Sequence, residues 1–191
     1  MEYINLFVNY CTEIITNGGF LIGMIIVILE SIIPIMPLGI FIALNANAFG
    51  LIPGIIISWI ATCIGCFISY TLFYYLSDKL EHLFSKKLRR KIEKNIDKYQ
   101  KIELSKLVVI LTLPFTPAFV VNIICGMIRL NRKKFITAIL IGKIFVSFFW
   151  AYIGKSLIES ISDISTLITI AVMIVIAYGL SKLIGKETKI N

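Results

Sequence analysis

The residues of this chain that could do polar chemistry inside a membrane stand beside prolines. Glu30 is the only acidic residue deep in an apolar stretch, and Pro34 and Pro37 follow it. Farther on, Pro114, Thr116, Pro117, Asn122 and Gly126 interrupt the apolar run Leu107 to Ile128. An ionisable group at the centre of a membrane helix costs about 2.5 to 3.5 kcal/mol on insertion scales, so Glu30 is expected to face a cavity or a partner. A carboxyl so placed could carry a proton and couple a cycle to pH. Proline lacks a backbone donor and disturbs the helix before it, so Pro34-Ile-Met-Pro37 and Pro114-Phe-Thr-Pro117 are expected to break their helices. Broken backbone survives at membrane depth only where protein or a water-filled cavity surrounds it. Asn45, Asn47, Thr116 and Asn122 could line that space, or could satisfy the freed carbonyls and amides instead. No metal-ligand cluster, nucleophile-base pair or phosphate-cradling glycine loop accompanies them. Metals, cofactors and catalytic residues are therefore not expected, and neither is an enzyme.

Composition identifies the medium. The chain is 58% hydrophobic and 16% charged, with a mean hydropathy of +0.92, whereas soluble domains run at about half apolar and a quarter charged. An all-α integral membrane protein follows, with residues 1–191 forming one domain. The net charge of +8 gathers between Lys79 and Lys106 and at Arg129, Arg132, Lys133 and Lys134, beside expected membrane ends. Topology and anionic headgroups explain it, and nucleic acid is not an expected partner. Cys63 and Cys66 form a CxxC, read here as small packing residues, and His82 reads as a solvated surface residue.

These residues need elements to hold them. Residues 1–17 read as an interfacial helix, Phe20 to Ile33 as an apolar helix, 34–50 as a re-entrant hairpin, and Leu51 to Leu76 as a span. Residues 78–106 read as a cytoplasmic basic amphipathic segment, 107–128 as a second re-entrant hairpin, and Phe135 to Ile153 and Ile164 to Ile184 as further spans. Basic residues at both ends of 107–128 put both ends on one side, so this stretch should dip in and return. The basic segment 79–106 and the C-terminus are expected in the cytoplasm, and the acidic N-terminal charges leave the side of the N-terminus open. Lys143 is expected to snorkel to the headgroups. The halves also answer each other. Each has a Pro-x-x-Pro, then an asparagine and a glycine, then a long span in which Gly65 to Tyr75 matches Gly142 to Tyr152. With the spans running in opposite directions, a polytopic bundle with two opposed re-entrant hairpins, an inverted repeat, is expected.

With Glu30-x-x-x-Pro34-x-x-Pro37 in one half and Leu-Pro114-Phe-Thr-Pro117-Ala-Phe-Val-Val-Asn122-Ile-Ile-Cys-Gly126 in the other, the chain resembles the DedA and VTT-domain superfamily, also called SNARE-associated Golgi proteins. The resemblance covers roughly Gly19 to Lys155. Continued by Lys134-Phe135 and Gly142, the second pattern is more similar to the Tvp-like branch than to the one typified by DedA itself. The resemblance implies two opposed re-entrant hairpins and movement of phospholipids or polyprenyl-phosphate carriers between leaflets, with proton coupling in some members. It also implies that Glu30 is the family's membrane glutamate and that Pro34, Pro37, Pro114, Pro117 and Gly126 are its hairpin positions. Two positions depart from the pattern. Leu111 stands where an arginine often precedes the second hairpin, and Leu38-Gly39 where a second acidic residue often follows the first proline pair. Phosphate capture by a buried arginine is therefore not expected at Leu111, and Arg129 is the candidate substitute.

The combined expectation is a multi-pass plasma-membrane protein whose broken hairpins let a lipid headgroup cross. Its path would be drawn from Glu30, Pro34, Pro37, Asn45, Asn47, Pro114, Thr116, Pro117, Asn122, Gly126 and Arg129. The expected partners are membrane lipids and protons, and a homo-oligomer is compatible with the sequence. A proton-coupled transporter of a small solute, needing an enclosed midplane pocket, and a non-transporting scaffold that docks through its basic segment are the alternatives.

Overall fold

The structure, a computed structural model, describes residues 2–35, 37–80 and 100–159, with isolated positions at 168, 172, 174, 175 and 179. Most of the basic segment, including His82, and nearly all of the expected span Ile164 to Ile184 lie outside the described residues.

Six helices are described, and proline or glycine sets most of their ends. Helix α1, Glu2–Ile32, stops two residues short of Pro34, and α2, Leu38–Phe49, begins directly after Pro37. Gly50, at φ 87, turns the chain from α2 into α3, Leu51–Leu80. Helix α4, Leu104–Thr112, ends two residues before Pro114, α5, Ala118–Met127, begins directly after Pro117, and α6 is Arg132–Glu159. At both breaks the second proline starts the next helix. Its carbonyl accepts the N–H three residues on, Ile40 to Pro37 at 2.9 Å and Val120 to Pro117 at 3.0 Å. A proline is suited to this place because its fixed φ leads into a helix and its missing donor is not needed there. Within α1, Gly19 takes φ 66 and ψ −171, a conformation open to glycine, and bends the helix.

Among the described residues three helices are long and apolar enough to cross a membrane, over Asn9–Ile32, Leu51–Leu76 and Arg132–Gly154. Helices α3 and α6 form the centre and run antiparallel. Trp59 Nε1 donates to the Leu140 carbonyl at 2.9 Å, Cys63 Sγ lies 3.7 Å from the Ile139 carbonyl, and Tyr70 stacks on Phe135 with centroids 4.4 Å apart. Lipid tails are as apolar as leucine, so close packing rather than apolar burial must hold such a bundle, and small residues supply it. A Cβ placed on Gly126 of α5 would lie 2.6 Å from the Tyr70 carbonyl of α3. Gly39 of α2 is pressed as tightly on Trp150 of α6. Each short helix after a break thus packs on the long helix of the other half, α2 on α6 and α5 on α3.

Candidate functional site

At the first break, α1 lies along α3 and Gly65 lets them touch. A Cβ there would sit 2.8 Å from the Ile28 carbonyl and 2.5 Å from Ser31 Cβ. Since Gly65 is near the middle of the Leu51–Leu76 stretch, the end of α1 reaches mid-bundle. Glu30 is only 7% exposed there, and its Oε2 accepts the Ile35 N–H at 3.3 Å. The carboxylate is thus tied to the backbone that the proline pair sets free. Ser31 Oγ donates to the Val27 carbonyl at 2.8 Å, a back-bond that bends helices.

The second break repeats this arrangement. Helix α4 lies along α6, with Lys134 Nζ donating to the Ile102 carbonyl at 3.0 Å and Gly142 pressed on Leu111, where a Cβ would fall 2.9 Å from Leu111 Cβ. Ser31 and Leu111 each stand three residues before the first proline of their pair, and Gly65 and Gly142 are the glycines that head the matched segments. Thr112 Oγ1 donates to the Val108 carbonyl at 2.8 Å, and Thr116 N–H closes a turn onto the Leu113 carbonyl at 3.2 Å. Leu111 is buried in the core against α6.

Polar side chains within the bundle are spread over several helices. Asn45 Nδ2 donates to Ser58 Oγ at 3.1 Å and to the Gly23 carbonyl at 3.3 Å, and Asn47 Nδ2 to Thr12 Oγ1 at 3.1 Å, so both asparagines brace helices. Asn122 differs. It is fully buried, and neither its amide nitrogen nor its oxygen has a partner among the described residues. Thr62, Ser69 and Ser147 also present buried hydroxyls without hydrogen bonds. Ser58, Thr62 and Ser69 fall on one face of α3 at helical spacing. The stem of Lys143 is packed within the bundle, leaving the residue 3% exposed.

Where α3 ends and α6 begins, a cleft of about 580 Å³ opens, lined by Tyr74, Gln100, Arg129, Leu130, Asn131, Arg132 and Lys133. Helix α5 stops here by turning left-handed at Arg129, φ 50, with Leu130 N–H bonded to the Cys125 carbonyl at 3.0 Å and Arg129 N–H to Gly126 at 2.9 Å. Glycine is the usual residue at this place in such a terminus, so the arginine is held in a conformation that costs about 1 kcal/mol. The Arg132 guanidinium lies 4.7 Å from the Tyr74 ring centre and hydrogen-bonds Tyr75 Oη. Tyr70 Oη donates to the Leu130 carbonyl and Gln100 Nε2 to Ile128 at 2.7 Å, which fixes the floor of the cleft.

The expected site residues therefore fall into separate groups. Glu30 and Asn122 are buried polar groups near the breaks, Pro34 and Pro37 lie at the surface, Pro114 and Thr116 are half-buried, and Arg129 lies in the cleft. Gly126 serves as a packing contact. Thr62, Ser69, Ser147 and Lys143 were not singled out as path residues by sequence reasoning, although Lys143 and Ser147 stand one turn apart on α6 and could have been found by that spacing. Among the described residues no group of three or more His, Cys, Asp or Glu side chains could hold a metal ion.

The model of the VTT domain matches residues 14–156. The chain is 29% identical over 174 residues to the uncharacterized membrane protein YhjE of Bacillus subtilis (strain 168), covering 90% of this chain and 80% of that one. No solved structure matches. A match over most of the chain, through both breaks and the helices packed on them, makes this protein a membrane protein of the VTT-domain, or DedA, family.

Proposed function

We propose that the chain moves the headgroup of a phospholipid or polyprenyl-phosphate carrier between leaflets, along the polar groups that the two breaks bring into the bundle. The reading rests on one observation. Buried polar atoms on Thr62, Ser69, Asn122 and Ser147 have no hydrogen-bond partner among the described residues. Unpaired polar groups at membrane depth are costly, and water or a passing headgroup would satisfy them.

The helix packing favours a specific topology. After Gly19, α1 descends beside α3 to its middle, breaks, and returns as α2; α4 descends beside α6, breaks, and returns as α5. Because α3 and α6 are antiparallel, the two hairpins enter from opposite faces, an inverted repeat. In this reading the first hairpin includes the second part of α1, and the segment before Gly19 lies across the membrane surface, tied to α2 by the Asn47–Thr12 bond. The basic segment puts the cleft at Arg129 and Arg132 on the cytoplasmic face, where it receives an anionic headgroup. Glu30 holds the first break through its bond from the Ile35 N–H.

Ile35 is 82% exposed and Phe115 lies at the surface, so both breaks present apolar side chains outward. That favours a groove open to lipid over an enclosed solute pocket. The test is leaflet exchange of fluorescent phospholipids and a polyprenyl phosphate in proteoliposomes. Exchange that falls in Glu30→Gln is the expected result. A silent Glu30→Gln beside a disabling charge reversal in 79–106 would favour a scaffold.

A further inference from the structure

The cleft at the start of α6 lies where the spans Leu51–Leu76 and Arg132–Gly154 reach their common end, the depth at which lipid headgroups sit. Its volume of about 580 Å³ is that of a small-ligand site and exceeds what a bare phosphate would fill. Its neutral polar side chains are engaged by the backbone. Gln100 Nε2 donates to the Ile128 carbonyl at 2.7 Å, and Asn131 Oδ1 accepts the Lys134 N–H at 3.2 Å, which caps α6. Among the residues that line the cleft, Arg129, Arg132 and Lys133 are cationic and none is acidic.

Two of these cations are placed by features that packing alone does not require. The Arg132 guanidinium lies 4.7 Å from the Tyr74 ring centre and 5.2 Å from that of Tyr75, and it hydrogen-bonds Tyr75 Oη. A guanidinium has five N–H donors, so this cradle orients Arg132 and leaves donors over. Arg129 ends α5 at φ 50, in backbone that glycine enters without strain. A glycine there would close the same turn onto Cys125 and Gly126. What the arginine adds is its side chain in the cleft.

Cations set at three points around one cleft match an anion that offers as many terminal oxygens. A phosphodiester has two non-bridging oxygens and one charge. A phosphomonoester has three terminal oxygens and approaches two charges above its second pKa of about 6. We infer that the cleft is a phosphomonoester site, whose terminal oxygens Arg129, Arg132 and Lys133 hold between them, and that it distinguishes such headgroups from diesters. The remaining volume takes the organic part of the ligand. This rests on the translocation reading for a lipid as the source, since a soluble phosphate ester presents the same group.

The test uses the full chain in detergent and follows the rise in unfolding temperature with added ligand. The probes are short-chain phosphatidic acid, a monoester; short-chain phosphatidylglycerol, a diester; and glycerol 3-phosphate, a soluble monoester. At pH 7.5 wild type should bind phosphatidic acid about tenfold or more tightly than phosphatidylglycerol, and the preference should shrink toward pH 5 as the monoester regains a proton. The titratable groups that face the ligand are Tyr74, Arg129, Arg132 and Lys133, while Glu103 on the chain leading into α4 pairs with Lys106 at 3.7 Å. Phosphatidylglycerol keeps its charge over this range and so records whatever those groups contribute. Arg129→Gly, which keeps the turn, and Lys133→Gln, at an exposed position, should each lose most of the preference; Lys106→Gln, outside the cleft, should keep it. No binding to wild type, equal binding of the two lipids, a preference that ignores pH, or one retained in both Arg129→Gly and Lys133→Gln would overturn the inference. Binding of glycerol 3-phosphate as tight as that of phosphatidic acid would assign the site to a soluble ester, and binding of the lipid alone would assign it to a headgroup. A monoester preference in a protein that exchanges no lipid between leaflets would keep the inference and remove the translocation reading; exchange without the preference would do the reverse.

Discussion

Gly65→Ala and Gly142→Ala probe the two contacts on which the pairing of the halves depends. A methyl on Gly65 would meet Ser31 Cβ at 2.5 Å and the Ile28 carbonyl oxygen at 2.8 Å, and the second of these is backbone that cannot rotate away. On Gly142 it would meet Leu111 Cβ at 2.9 Å and the Leu111 carbonyl carbon at 3.0 Å, a milder overlap. Overpacking of this kind costs about 1 to 3 kcal/mol, against an intrinsic helix gain for alanine of about 0.5 to 1 kcal/mol. Gly65→Ala should therefore lose about 1 to 2 kcal/mol and Gly142→Ala about 1 kcal/mol or less. Gly179→Ala, with nothing within 4 Å of its Cβ, serves as the control and should be neutral or slightly stabilising. Unfolding in sodium dodecyl sulfate, followed by the fluorescence of Trp59 and Trp150, reads the loss of the bundle's central packing. Trp59 is bonded to Leu140 across the α3–α6 seam, and Trp150 packs on Gly39 of α2. If Gly65→Ala proved as stable as the control, α1 would not lie against the middle of α3, and the pairing of breaks with spans would be wrong.

Other substitutions separate holding the site from using it. Glu30→Gln should weaken the side-chain acceptor for the Ile35 N–H, costing about 1 kcal/mol in the same unfolding assay while lowering lipid exchange far more than that loss explains. Arg129→Gly should relieve the left-handed backbone and unfold no more easily than wild type, yet retain less anionic lipid on purification, measured by native mass spectrometry; a loss beyond about 1 kcal/mol would show that the guanidinium's own contacts dominate. Tyr70→Phe should lose about 1 kcal/mol, because the Leu130 carbonyl beneath the cleft would go unpaired while the stack on Phe135 survives. Retention of anionic lipid by the cleft should weaken as ionic strength rises, since its cations lie at an exposed rim.

Much of this was legible in the sequence because prolines and charges act locally. Pro37 and Pro117 restrict their own backbone and that of the residue before, so the places where helices end follow from the residues themselves. The burial of Glu30 was also foreseeable, from the apolar run around it. The spacing that matched Gly65 with Gly142 turned out to mark two equivalent contacts, with residues three before each proline pair. What could not be read was tertiary. The close packing around the stem of Lys143 comes from neighbouring helices and has no local signal. The swap by which α2 packs on α6 and α5 on α3 depends on contacts about a hundred residues apart for α2 and about fifty for α5, such as Ala43 with Gly154 and Tyr70 with Gly126, which no local pattern announces. The cleft at Arg129 likewise needs Tyr74, Gln100 and Arg132 from separate stretches of chain.

The central claim is that two breaks enter from opposite faces and meet around one polar path. Its most direct test is labelling of single cysteines, in a background with the four native cysteines replaced, by a membrane-impermeant maleimide added to one face of oriented vesicles. Cysteine at Ile35 should react only from the face opposite the basic segment, cysteine at Phe115 only from the face that carries it, and cysteine at Thr62 should be protected by short-chain phosphatidic acid. Reaction of Ile35→Cys and Phe115→Cys from the same face, or a Thr62→Cys that no lipid protects, would contradict the account.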